Sequence, residues 1–153
     1  MIAVSGGEKL LDRIKALVRD KEMCVMATVS GSEPYCSLMA YAVGDDCREI
    51  YMVTHRKTKK FENLSENPNV SLLIDTRDDV KGSTFSNAVA LTVNGVFQEI
   101  FDGKKREQVR NALLARHSDL SEFIGHPDAE LLCIRVSSFL FLNGLTEAHF
   151  VSV

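Results

Sequence analysis

The sequence predicts a mainly β fold with flanking helices, in which one antiparallel sheet curls on itself and helices cover part of it. Three observations carry this. Several candidate strands are apolar on both faces, as in Met23-Cys24-Val25-Met26-Ala27-Thr28-Val29, so both faces need covering. Turn signals at Gly31-Ser32 and Gly44-Asp45-Asp46 join the first strands by connections of hairpin length. Amphipathic helical segments precede and interrupt the strands. A chain of 153 residues has the size of one domain, and a single domain over 1–153 is the expectation.

Taken in order, residues 8–20 put Leu10, Leu11, Ile14, Leu17 and Val18 on one face, with Lys9, Asp12, Arg13, Lys15 and Arg19 off it. That is an amphipathic surface helix within 1–21. After the first strand, Pro34 opens a second that runs to about Val43, and Arg48 to Thr54 form a third, the three reading as a meander. A helix over about 58–66 stops at Asn67-Pro68. Val70, Leu72 and Ile74 then alternate with Ser71 and Asp75 as a fourth strand. Residues 76–86 are polar and read as a mobile loop. The fifth strand, Ala88 to Phe101, contains Gly95 as a bend or bulge. A helix at about 104–116 shares Val109, Ala112, Leu113 and Arg116 on one face, and Leu120–Ile124 add a turn before Gly125-His126-Pro127 break the pattern. Glu130 to Val136 form a sixth strand, and 137–153 carry a final strand and tail.

A net charge of −3 argues against general nucleic-acid binding, which requires a basic face. No apolar stretch reaches the ~18–20 residues of a membrane span, and Met1–Gly7 lacks the cationic start of a signal peptide. The expectation is a cytoplasmic protein. Cys24, Cys36, Cys47 and Cys133 form no C-x-x-C pair and have no histidine at ligand spacing, so reduced thiols without a metal site are expected.

The stretch that points to function is the run Ile50–Thr54, followed by four cations, Arg56, Lys57, Lys59 and Lys60, and then a helix. With Thr58 as N-cap, Lys59 and Lys60 fall in the first helical turn, where the helix dipole disfavours cations. A phosphate or other small dianion at that terminus would turn the conflict into a binding site. A solvated basic helix end is the alternative, at a cost of only ~0.3–1 kcal/mol. No nucleophile or acid–base pair emerges: Ser37 has no histidine close in sequence, Asp45-Asp46 read as turn residues, and no catalytic residue is assigned.

Ala27-Thr28-Val29, Gly31, Pro34-Tyr35, Tyr51–Thr54, Lys59-Lys60 and Asn67-Pro68-Asn69-Val70-Ser71-Leu72-Leu73 together resemble the pyridoxamine-phosphate-oxidase-like family of flavin-binding split barrels. The likeness is continuous over about 20–75 and weaker from 88 to 136. It implies a six-stranded antiparallel split barrel, a homodimer, and FMN at the dimer interface. By position, Lys59 and Lys60 would hold the FMN phosphate, Thr58 would add its hydroxyl, and Arg56 is an extra candidate. Val53 and Thr54 would lie along the flavin, with Ser37, Leu38, Met39 and Ala40 lining the ring and ribityl chain largely through backbone. The implied activity is that of an FMN-dependent oxidoreductase acting on a small molecule, with an electron donor as second partner and the redox chemistry supplied by the cofactor.

The departures narrow this. Ser37 stands where the oxidases proper carry arginine, Ala90 where they carry glutamine, and the tail lacks their tryptophan and Arg-x-x-Pro-like ending, so pyridoxamine oxidation is not implied. The segment Phe141–Phe150, with Ser37-Leu38 and Tyr41, is similar to haem-utilisation proteins built on the same barrel. That makes haem binding or degradation the alternative, with His149 as its candidate ligand. A non-catalytic flavin-binding module is a third reading.

Overall fold

The structure is a computed structural model that describes residues 2–79 and 85–153. Its elements are α1 (Ile2–Asp20), β1 (Met23–Ser30), β2 (Glu33–Ala40), β3 (Ala42–Val43), β4 (Glu49–His55), α2 (Lys59–Glu66), β5 (Asn69–Asp75), β6 (Val89–Gln98), α3 (Gly103–Arg116), α4 (Ser121–Ile124), β7 (Ala129–Asn143) and β8 (Glu147–Ser152). The fold is mainly β with flanking helices. Every strand pairing is antiparallel. The order across the sheet is β2-β1-β5-β6-β7-β4-β3, with β8 also on β7.

The curl of the sheet follows from one residue. β2 and β3 are separated in the chain only by Tyr41, yet they lie at opposite ends of the strand path, so the two ends of the sheet meet there. Tyr41 is fully buried. Its N–H donates to Glu22 O at 3.1 Å and its hydroxyl to Val18 O at 2.6 Å, so the chain is pulled onto the end of α1 where the sequence shows an unbroken apolar run. β4 meets β3 only through Ala42–Tyr51 and Val43–Ile50, and β2 and β4 touch without pairing. A seam is left between them, as a split barrel requires.

Three expectations are corrected here. Among the described residues the sheet has eight strands, not six, because Pro34–Val43 is divided at Tyr41 and the tail forms a strand of its own. The meander of the first three strands holds only in two halves, because the expected second strand pairs with the first through β2 and with the third through β3, on either side of Tyr41. The sixth and final strands are one continuous β7, whose slip opposite Asn94 and Gly95 absorbs the break expected at Ser137. Gly95 is needed at that bulge: a Cβ there would lie 2.7 Å from Arg135 O and from the Ile134 side chain. Of the expected 76–86 loop, Arg77–Asp79 and Phe85–Asn87 are single 3-10 turns, and 80–84 lie outside the described residues.

The inner face buries Met26, Met39, Met52, Leu72, Leu91 and Phe139 against Ile14 and Val18 of α1 and Leu64 of α2. On the opposite face, Tyr51, Val53, Leu131 and Cys133 pack beneath Val109 and Leu113 of α3 and Ile124 of α4. These two helices cover β3, β4 and the first half of β7. Elsewhere the register aligns one row of side chains on that outer face across six strands: Leu38, Val25, Leu73, Thr92, Leu140 and Phe150. Leu38 is 69% exposed and Phe150 65%.

Candidate functional site

The seam between β2 and β4 collects the residues that the sequence singled out. Ser37, Leu38, Met39 and Ala40 lie on β2, Val53 and Thr54 lie on β4, and the turn from Arg56 to Thr58 leads into α2 at one end of the seam. Lys59 reaches back to β2, its Nζ standing 5.5 Å from the centre of the Tyr35 ring. From Tyr35 to Leu38 along β2 is a rise of about 10 Å. The side chains divide by face. Met39 is buried in the core and Ser37 faces the same way opposite Met26, whereas Leu38 and Ala40 face outward. Val53 is buried beneath α3 and α4. Any ligand in the seam would therefore meet Ser37, Met39 and Val53 through backbone.

At the start of α2, Thr58 is the N-cap and its Oγ1 accepts from Phe61 N. The same hydroxyl donates to His55 O at 2.8 Å. Its single proton is thereby used, so across the 3.1 Å contact with Thr54 Oγ1 Thr54 is the donor. Thr58 is fully engaged in holding the turn, and its hydroxyl has no proton left for a ligand in this geometry. The capping side chain leaves the amides of Lys59 and Lys60 pointing out of the helix end.

The four cations of the turn are not equivalent. Arg56 Nε lies 3.0 Å from Glu130 Oε1, Lys57 Nζ 3.6 Å from Asp128, and Lys59 Nζ 3.8 Å from Glu62. Among the described residues Lys60 has no carboxylate within ion-pair distance, and it is half-buried. A concavity of about 490 Å³ is lined by Arg56, Lys57, Thr58 and Lys59 together with Phe61, Ser65 and the carboxylates Glu62 and Glu66, with Lys60 beside it rather than in its lining. A second, of about 550 Å³, opens on the outer face, with Met23, Val25, Leu38 and Leu73 in its lining. Lys21, which bonds Asp78 at 3.1 Å and Asp79 at 2.6 Å, forms part of its wall.

Sequence reasoning missed what holds the basic turn in place. The His55 ring stacks on Phe123 at 3.9 Å and on His126 at 4.6 Å, and Arg56 N donates to Asp128 O at 2.8 Å. His126-Pro127 carried only a chain-break signal, and a stack across 71 residues leaves no local pattern. Asn63, fully buried, donates to Thr28 Oγ1 at 3.1 Å, while its Oδ1 has no partner. The strongest polar cluster lies elsewhere, beneath α3. Glu49 accepts from Lys105 at 2.5 Å, Tyr51 at 3.0 Å and Cys133 at 3.2 Å. Burial pushes the Glu49 carboxyl up, but the bonds from Lys105, Cys133 and Tyr51 outweigh it and hold the group below its usual range. Burial also pushes the Cys133 thiol up to about 12, which leaves it unreactive.

Comparison with known proteins adds the following. A family profile described as pyridoxamine 5'-phosphate oxidase matches residues 10–143. No curated protein matches this chain by sequence. Among solved structures, the haem-binding protein of Mycobacterium smegmatis superposes with a TM-score of 0.83 at 15% identity, over 93% of this chain and 57% of its own. Campylobacter jejuni ChuZ gives 0.79 at 16% identity, over 97% and 60%. An FAD-binding protein of Mesorhizobium loti gives 0.69 at 17% identity, over 83% and 87%. At these identities the likeness is one of fold. The chain spans little more than half the length of the first two.

Proposed function

Because this chain belongs to the pyridoxamine 5'-phosphate oxidase family, we propose that it is a flavoprotein that binds FMN with the phosphate at the start of α2 and the flavin along the β2–β4 seam. Lys60 carries this reading. It is the cation of the turn with no carboxylate partner among the described residues, and it sits where the helix dipole disfavours a cation unless an anion is present. Lys59 and the amides of Lys59 and Lys60 complete the phosphate cradle, while Arg56 and Thr58 brace it through Glu130 and His55. Two lysines and two outward amides fit a phosphate dianion, and backbone along the seam fits the polar edge of a flavin.

When bound, FMN would supply the hydride or electron transfer, so this is an oxidoreductase acting on a small molecule and an electron donor. The chain's own task is to bind, orient and shield. Thr54 and Thr58 fix the turn, Leu38 gives an apolar contact beside the ring, and a second copy of the chain covers the exposed side in a homodimer. The protein is taken to act in the cytoplasm as one domain.

A second reading rests on the fold shared with a haem-binding protein. His149 on β8 is exposed and is its candidate ligand. The visible spectrum of the purified protein separates the two once the bound compound is released by heat and identified. Flavin bands with FMN in the supernatant support the proposal. A saturable Soret band on adding haemin, lost in His149→Ala and without flavin retention, overturns it.

A further inference from the structure

We infer that the concavity beside the Glu49 cluster is a second binding site, which takes a small organic acid by its carboxylate. It has a volume of about 390 Å³ and is lined by Arg48, Arg135 and Gln98, by the carboxylates Asp45 and Glu49, and by Val136 and Val153. The basic turn is far away: from Glu49 to His55 along β4 is about 20 Å.

Two arginines deprived of their nearest carboxylates mark the site. Arg135 stands directly opposite Glu49 in the pairing of β4 with β7, where opposite charges on one face ordinarily form an ion pair. Glu49 is already taken. Its Oε1 accepts from Lys105 at 2.5 Å and from Tyr51 at 3.0 Å, and its Oε2 from Cys133 at 3.2 Å. Arg48 is left in a similar way, because Asp46 gives Oδ1 to Lys15 at 2.6 Å while its Oδ2 lies 3.6 Å from Arg48 Nε. Among the described residues the Arg135 guanidinium and the Gln98 side-chain amide have no hydrogen-bond or ion-pair partner. No ion pair joins either arginine to Asp45 or to the chain end at Val153.

These donors select the ligand. A guanidinium presents its N–H groups as a planar fork that matches the two oxygens of a carboxylate. The Gln98 amide adds two further N–H donors. Asp45 limits the charge: a second negative group on the ligand would meet its carboxylate, which favours a monocarboxylate over a phosphate dianion. Val136 and Val153 offer contact to the apolar part of the acid, and the volume is within the range of small-molecule sites. Arg48 has 74% of its side chain exposed, so affinity on the order of millimolar is expected.

Titrating the isotope-labelled protein with sodium benzoate, at ionic strength held constant with sodium chloride, tests this by proton–nitrogen correlation spectra. Saturable shifts of the Gln98, Arg135 and Val136 amides are expected, with benzoate binding more tightly than inorganic phosphate. Affinity should fall at least tenfold in Arg135→Gln and also fall in Arg48→Gln. Arg135→Lys keeps the charge without the fork and should recover only part of it. Shifts that sodium chloride alone reproduces overturn the inference, as does equal benzoate affinity in the wild type and both glutamine variants. Tighter binding of phosphate overturns the ligand class, and shifts confined to Lys59 and Lys60 give the acid to the basic turn and overturn the site. FMN affinity in Arg135→Gln is expected to match the wild type, so this inference and the flavin reading stand or fall separately.

Discussion

Replacing Lys60 by alanine sets stability and binding against each other. The helix start survives, because Thr58 still caps Phe61 N and still donates to His55 O. Alanine is at least as good a helix former as lysine, and a cation is removed from the positive end of the helix dipole, which is worth ~0.3–1 kcal/mol. Without ligand, the variant is therefore expected to melt at the same temperature as the wild type or slightly above it. FMN affinity moves the other way. A hydrogen bond to a charged group contributes about 1.5–3 kcal/mol, and at about 1.4 kcal/mol per tenfold the loss is roughly 10- to 150-fold. Adding Lys59→Ala costs about a further tenfold and no more, since Glu62 at 3.8 Å already offsets that charge and its side chain is 49% exposed. Flavin fluorescence titration at low and high salt, beside a thermal melt of the ligand-free protein, reads both quantities. Unchanged affinity in the double variant removes the turn from the site. An affinity loss matched by an equal loss of stability would make Lys60 a structural residue and refute the argument.

Three other outcomes follow from the same geometry. Thr58→Ala removes the cap and the partner of Thr54; a loss of about 1 kcal/mol lowers Tm by about 2–4 °C at this chain length, visible by calorimetry. Gly95→Ala forces a Cβ to within 2.7 Å of Arg135 O at the bulge and is expected to cost about 1–3 kcal/mol, read as a lower urea midpoint at unchanged slope. The Glu49 carboxyl is held below its ordinary value of 4.5 by Lys105, Cys133 and Tyr51 despite burial. Its stabilisation is therefore present above pH 4.5 and lost as the pH falls through the lowered value. Wild type should exceed Glu49→Gln in stability at pH 7, with the difference closing toward pH 3; a gap that persists at low pH contradicts the ionic account.

What could be read from the sequence was local. Leu10, Leu11, Ile14, Leu17 and Val18 mark the packed face of α1, Thr58 marks the N-cap of α2 and Asn67-Pro68 its stop, and Gly95 marks the bulge. Each is set by backbone sterics or by a period within a few residues. What could not be read was set by distant partners. Nothing in Pro34–Val43 announces that Tyr41 will turn the chain, because its partners are Val18 O and Glu22 O. The alternation of Leu132, Ile134 and Val136 ended the sixth strand at Val136, and only the slip against β6 lets β7 run through Ser137. At the site, the conflict between Lys59-Lys60 and the helix dipole was visible. The commitment of Thr58 to His55, and of Arg56 to Glu130, was not, and it is these bonds that single out Lys60.

The most direct test of phosphate recognition at the start of α2 is the ratio of FMN to riboflavin affinity for the wild-type protein, measured by fluorescence titration in one buffer. The two ligands share the ring and ribityl chain and differ in the phosphate alone. On the proposed cradle of Lys60, Lys59 and two amides, FMN should bind at least a hundredfold more tightly, and the ratio should shrink with salt. Equal affinities would show that the basic turn is a solvated helix end and not a binding site.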